Sequence, residues 1–282
     1  MLKRTAAALA AVFISAFIPT AELSAQTVQP PLAQSQTERD RFARAFVIEI
    51  DGVRRSAHAA DLKLPPASLT KMMSGLLVIE HGKADAVVTI SARAAAATGS
   101  RLGLRAGEHM QAADLLSAML IASSNDACRA LAEWVSGSEA AFVTQMNRRA
   151  AALGLTHTHF VNACGHDAPT HLSTASDLAR LARTAMAQPE YARRAALATL
   201  TVATAEGRRF NLSNHNQLIG RFPGAYGVKS GFTSKAGKCL VAMAERDGHH
   251  VLLVMLNARD RWWDADAALD YALTRAAELS GQ

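Results

Sequence analysis

Aromatic residues are scarce in this chain of 282 residues: Phe, Trp and Tyr make up 5% of it, although half of its residues are hydrophobic. A core must therefore be assembled from Ala, Val, Leu and Ile, and there is little material for the stacked platforms that hold nucleic-acid bases. Runs of one charge are lacking as well. The net charge is +6, yet Lys and Arg are scattered, with nothing longer than pairs such as Arg148–Arg149 and Arg193–Arg194. No basic stripe follows from that spacing, and no nucleic-acid partner is expected. Cysteine is limited to Cys128, Cys164 and Cys239. Their spacing matches no metal motif, and we read them as buried thiols that behave as small hydrophobes. Neither H-E-x-x-H nor G-x-S-x-G occurs, so the zinc-peptidase signature and the nucleophile elbow of histidine-dependent hydrolases are both missing. His157, His159, His166 and His171 lie near one another in the sequence but lack companion ligands at metal spacing. They read as solvated strand and loop faces, and neither metal nor cofactor is expected.

One apolar run stands out, and it is at the front. Lys3 and Arg4 precede apolar residues 5–18, and the small residues Ser24 and Ala25 follow. That order is the order of a secretory signal, which predicts residues 1–25 as a cleaved export segment and a periplasmic destination. Residues 26–44 open with Gln, Pro, Ser and Thr and read as a flexible lead-in. Residues 45–282 then read as one folded domain. They contain no second long apolar run, so no stable membrane anchor is expected.

Within that domain the hydrophobic period changes twice. Residues 45–50 alternate and Asp51-Gly52 supplies a hairpin turn, predicting two antiparallel strands. Pro65-Pro66 ends the extended stretch, and a helix-period pattern covers 67–80 with Gly82 placed to stop it. Helical patterns follow over 112–132, broken at Ser123-Ser124-Asn125, over 139–153, and from a capping signal at Thr174 to residue 187. Residues 227–232, 238–244 and 250–256 return to strand character, and a helix over 262–279 closes the chain. Strands at both ends around a helical middle predict an α+β fold: an antiparallel β-sheet flanked by helices, with a helical insertion.

Three short motifs carry chemistry. Ser68-x-x-Lys71 at the start of a helix puts a hydroxyl and an amine on one face within hydrogen-bond reach. Free backbone N–H groups of the first turn stand beside them. A serine needs a base to become a nucleophile, and a neutral lysine can be that base. Ser123-x-Asn125 sits at the break between two helices, where it would expose a hydroxyl and an amide; capping of the following helix is the structural alternative. Lys229-Ser230-Gly231 lies on a predicted strand, where Lys229 offers fixed charge and Gly231 lets another backbone approach. Residues 224–230 nearly imitate a phosphate loop, but Val228 replaces the glycine before the lysine, which excludes it.

In this order, S-x-x-K, S-x-N and K-[ST]-G resemble the serine set of β-lactamases and penicillin-binding proteins. Segments 47–73, 100–127, 153–162, 172–181, 214–218 and 227–240 resemble the D-alanyl-D-alanine carboxypeptidase/endopeptidase family in particular, and most of all its endopeptidase branch of the penicillin-binding protein 7 type. The resemblance implies a β-lactamase/transpeptidase-like fold and a serine DD-peptidase acting on peptidoglycan stem peptides and crosslinks, with β-lactams as covalent inhibitors. It implies Ser68 as nucleophile, Lys71 as general base and Ser123 as proton relay. Asn125 would hold the substrate amide, and the N–H groups of Ser68 and Phe232 would form the oxyanion hole. Ser230, Thr233 and Arg261, with Arg259 in reserve, would hold a carboxylate. The chain departs from the family around Ala163-Cys164-Gly165-His166-Asp167. It also has no glutamate in a Glu-x-x-Leu-Asn setting between Asn125 and Lys229, which disfavours a class A β-lactamase. A non-catalytic scaffold would lack the serine or a lysine, and all are present. The short stretch after Lys229 leaves room for two strands and one helix, which favours cleavage of crosslinks by an unanchored enzyme over cleavage of terminal D-Ala alone.

Overall fold

The structure is a computed structural model that describes residues 42–280; the expected export segment and most of the lead-in lie outside the described residues. Strands β1 (Ala43–Ile50) and β2 (Val53–His58) form a hairpin around Asp51-Gly52. The lead-in ends earlier than the composition suggested. Ala43 and Arg44 belong to β1, because Phe42 gives the chain a packing face: it is buried edge-on against Phe46, ring centroids 5.0 Å apart. A 3-10 turn (Ala67–Thr70) leads into α1 (Lys71–His81), which Gly82 terminates. Next come β3 (Val87–Thr89), α2 (Ala92–Ala95), β4 (His109–Gln111), α3 (Ala112–Ile121), α4 (Asn125–Ser136) and α5 (Glu139–Ala152). Helix α6 (Ala175–Met186) starts at Thr174, whose side chain accepts the Asp177 N–H. Then follow α7 (Pro189–Ala195), the hairpin β5 (Thr199–Ala203) and β6 (Arg209–Ser213), strands β7 (Ala225–Thr233), β8 (Gly237–Arg246) and β9 (His249–Ala258), and α8 (Arg261–Ser280). The short pairs β3–β4 and β5–β6 fall outside the predicted elements.

The five-stranded sheet runs β2-β1-β9-β8-β7, antiparallel throughout. The fold is α+β. Both faces of its centre are covered, which is why β9 reads as the unbroken apolar run Val-Leu-Leu-Val-Met-Leu rather than alternating. Phe46, Met255 and Leu240 are in register and pack on α8 with Ala268, Leu269 and Ala272. On the opposite face Val47, Val254 and Val241 form a row under the helical insertion. The next residue of that row, across β8 on edge strand β7, is Lys229. A charged residue thus occupies the end of an apolar row, and it is 2% exposed. The site is built around that position.

Candidate active site

The 3-10 turn carrying Ser68 is pressed against β7. A Cβ added to Gly231 would lie 2.9 Å from the Ser68 nitrogen and 3.1 Å from the Ala67 Cβ, so only glycine lets turn and strand approach this closely. From the other side a Cβ at Gly165 would meet the Ala67 carbonyl oxygen at 2.0 Å. Ala67 and Ser123, both non-glycine, hold left-handed φ values of 49° and 59°. Such strain persists where surrounding contacts over-determine the backbone, and here it falls beside one motif serine, Ser68, and on another, Ser123. His171, expected on a solvated face, is instead buried and holds the turn from behind. Its Nδ1 accepts the Val161 N–H at 3.1 Å, which leaves Nε2–H to donate to Thr70 Oγ1 at 2.8 Å, and Thr70 in turn donates to the Ala67 carbonyl. Burial pushes the His171 imidazole down to about 4, so the ring is neutral.

Lys71 Nζ, fully buried, lies 3.0 Å from Ser68 Oγ, 2.8 Å from Asn125 Oδ1 and 2.6 Å from the Cys164 carbonyl. An ammonium would donate to all three. A neutral amine has two N–H donors and one lone pair. Two N–H groups suffice for Asn125 and Cys164, which leaves the lone pair for the Ser68 hydroxyl to donate to. Burial, and then the second cation Lys229, drive the Lys71 pKa well below the usual lysine range. Lys229 Nζ donates to Ser123 Oγ at 3.0 Å and to the Ser230 carbonyl at 2.9 Å. Burial, and then Arg261, lower it to about 7.

Six of the residues singled out in the sequence line one cavity of about 380 Å³: Ser68, Ser123, Ser230, Gly231, Phe232 and Arg261. Lys71, Asn125 and Lys229 stand behind its wall through the hydrogen bonds above. Asn125 does not act as a cap; the α4 N-cap residue is Ser124, which makes no side-chain capping bond. The Asn125 amide instead accepts from Lys71 and donates to the Thr98 carbonyl at 2.6 Å. Arg261 donates to the Gly231 carbonyl and stacks on Trp262, 4.5 Å to the ring centroid. Two residues fall elsewhere. Thr233 Oγ1 donates to Asp167 at 2.6 Å, and Arg259 is exposed, with its carbonyl accepting from Lys238.

The reading of three free thiols is corrected. Cys128 on α4 and Cys164 are joined in a disulfide, Cα atoms 6.0 Å apart, and only Cys239 is free and buried. The two cysteines are 36 residues apart, and sequence distance carries no sign of the fold that brings them together. The bridge ties the helix that begins with Asn125 to the loop whose carbonyl holds Lys71. That carbonyl and His215, which also lines the cavity, were missed. A backbone acceptor has no side-chain signature, and a lone histidine in a loop has little more. Among the described residues no three His, Cys, Asp or Glu side chains gather in a metal-binding group.

A serine hydrogen-bonded to a buried lysine, a second lysine on a serine, and an arginine lining the same cavity are the arrangement of serine–lysine acyl-transfer folds. The profile of D-alanyl-D-alanine carboxypeptidases, peptidase family S11, matches residues 48–260. The chain belongs to that family. It is 36% identical over 222 residues to the D-alanyl-D-alanine carboxypeptidase DacF of Bacillus subtilis, a match covering 76% of this chain and 57% of that protein. A D-alanyl-D-alanine endopeptidase of Pseudomonas aeruginosa is 29% identical over 255 residues, covering 87% of this chain and 81% of the relative. The Streptomyces K15 DD-transpeptidase superposes with a TM-score of 0.78 at 28% identity, covering 82% of this chain and 97% of the other. The chain thus spans little more than half of the Bacillus relative.

Proposed function

We propose that this protein is a serine DD-peptidase that hydrolyses D-alanyl bonds of peptidoglycan stem peptides. The observation that carries the reading is Lys71: two acceptors take its N–H groups and its remaining valence faces Ser68 Oγ at 3.0 Å. Ser68 Oγ bonds to the D-alanyl carbonyl carbon while its proton passes to Lys71 Nζ. The oxyanion that forms faces the backbone N–H groups of Ser68 and Phe232. Collapse breaks the C–N bond, and the leaving amine takes the proton that Lys71 received, passed on through the Ser123 hydroxyl, which Lys229 holds by a hydrogen bond. Water then cleaves the Ser68 ester, giving the shortened peptide acid and the free serine. Arg261 and Ser230, which line the cavity with Ser68, suit the carboxylate beside the scissile bond. Thr233 can join them only by releasing Asp167. Export through residues 1–25, a periplasmic location and the lack of a stable membrane anchor belong to the same reading; among the described residues no helix is long and apolar enough to cross a membrane.

Both a terminal D-Ala and a crosslink present such a carboxylate. The carboxypeptidase-named relative carries the higher identity, which supports release of terminal D-Ala. A second cavity beside the first favours crosslinks as well. The test is mass spectrometry of purified muropeptides: loss of one D-alanine from a pentapeptide, or splitting of a crosslinked dimer, by wild type and by neither Ser68→Ala nor a boiled control. Intact pentapeptide and intact dimer after prolonged incubation with folded wild type would contradict the reading.

A further inference from the structure

A second cavity, of about 450 Å³, adjoins the first and shares Ser100 and His215 with it. Its walls come from the 100–102 loop, from Ser124 at the start of α4, and from Asn211, Leu212 and Ser213 on β6. The loop is fixed. Asp126, wholly buried, accepts the N–H groups of Leu102, Gly103 and Leu104, and the Asn125 N–H donates to the Ser100 carbonyl at 2.7 Å. Arg101 is exposed on this loop, and it is the one residue of fixed charge among the lining residues, with no carboxylate beside it there. Ser124, 1% exposed, has a hydroxyl with no hydrogen-bond partner, although a buried polar atom ordinarily finds one. The cavity is therefore cationic and polar, with a built wall and an unused hydrogen-bonding group.

Its place relative to the chemistry fixes what it can hold. In the DD-peptidase reading, on which this inference rests, Arg261 and Ser230 take the carboxylate of the leaving residue. His215, whose carbonyl accepts the Ser230 hydroxyl at 3.1 Å, lines both cavities, so the second adjoins the first where Ser230 stands. A leaving D-alanine ends there and reaches no further. A leaving diamino acid continues through its side chain into a whole second peptide, which carries further free carboxylates. We propose that this cavity is the subsite for the amine-side stem peptide of a crosslink, an anionic peptide recognised by Arg101 and by the polar groups of Ser124 and Asn211.

The test compares crosslinked dimer with pentapeptide monomer on the same enzyme preparations. Arg101→Glu reverses the charge. Asn211→Asp adds a carboxylate to the opposite wall on an exposed residue, keeping the side-chain shape and the acceptor for Thr201. Each should raise KM for the dimer, lowering kcat/KM about tenfold, while pentapeptide kcat/KM and penicillin acylation stay within twofold. Arg101→Lys should restore dimer cleavage to within threefold. Dimer and pentapeptide cleavage falling together, or dimer cleavage unchanged in both variants, would overturn the subsite and leave the DD-peptidase reading standing. A wild type that releases terminal D-Ala but leaves the dimer untouched would overturn it too. A wild type inactive on both substrates would instead remove the reading beneath it.

Discussion

The two faces of the central sheet are built from the same strands and obey different rules. Under α8 lies an apolar cluster that runs from Phe46 and Ile48 through Leu253 and Met255 to Leu269 and Leu273. On the other face the same strands begin an apolar row that ends in Lys229, and the helices above it bury Lys71, Asn125, Asp126, Ser123 and His171. Buried charge costs several kcal/mol per ion even after relaxation. Folding alone would have filled those places with Leu or Met. The α8 face contributes apolar packing, whereas the other face embeds the polar groups of the site in an apolar core of its own.

The contrast is sharpest in a pair of substitutions. Lys71→Ala removes the amine that the proposed mechanism uses to take the Ser68 proton, and acylation by a penicillin should fall at least a thousandfold, roughly 4 kcal/mol of barrier. It also removes a buried amine, so the urea midpoint should hold or rise. Stopped-flow acylation and urea unfolding check the two halves, and an acylation rate within tenfold of wild type would remove Lys71 as base. Leu269→Ala, under α8, should do the reverse: a loss of about 2–5 kcal/mol of stability from the cavity left behind, with acylation by the folded fraction unchanged. A large loss of acylation there would mean that the two faces are not separable.

Acid probes the polar face through His171. His171 holds a pKa of about 4 in the folded protein against 6.5 ordinarily. On acidification the unfolded chain takes up that proton first, so stability falls as pH drops from about 6.5 to about 4 and then levels. At pH 5 the histidine should account for about 2 kcal/mol of lost stability. Urea unfolding at pH 7 and pH 5, compared between wild type and His171→Gln, isolates it, because glutamine can accept and donate without titrating. Equal losses in both proteins would contradict the neutral-ring reading. The smallest effect belongs to Ser230→Thr. The hydroxyl survives, and acylation should stay within threefold of wild type; a loss beyond tenfold would show that the added methyl does not fit against His215.

The difference between the faces also explains what could be read from the sequence. The apolar face and most of the helices follow from the hydrophobic pattern, as in the unbroken apolar run of β9 and the helical period of α6. Ser68, Lys71, Ser123, Asn125 and Lys229 were legible because their spacing has chemical meaning on a helix turn or strand. Other features were not. The third partner of Lys71 is a backbone carbonyl, Cys164, which any residue type could supply, and the disulfide that fixes it joins positions far apart in the chain. Thr233 stands next to the motif strand, yet its hydroxyl is taken by Asp167 from the loop where the chain departs from its family. The β5–β6 hairpin pairs away from the main sheet, and its walls acquire meaning only beside His215.

The central claim is that Ser68, with Lys71 neutral beside it, forms an acyl-enzyme that this site does not discharge quickly. Intact-mass measurement after mixing with a penicillin, followed by peptide mapping, tests it most directly. The account predicts one drug mass added to wild type, located on Ser68, lasting minutes or longer, and absent from Ser68→Ala. An unmodified protein, an adduct on another residue, or drug hydrolysed at many turnovers per second would contradict it.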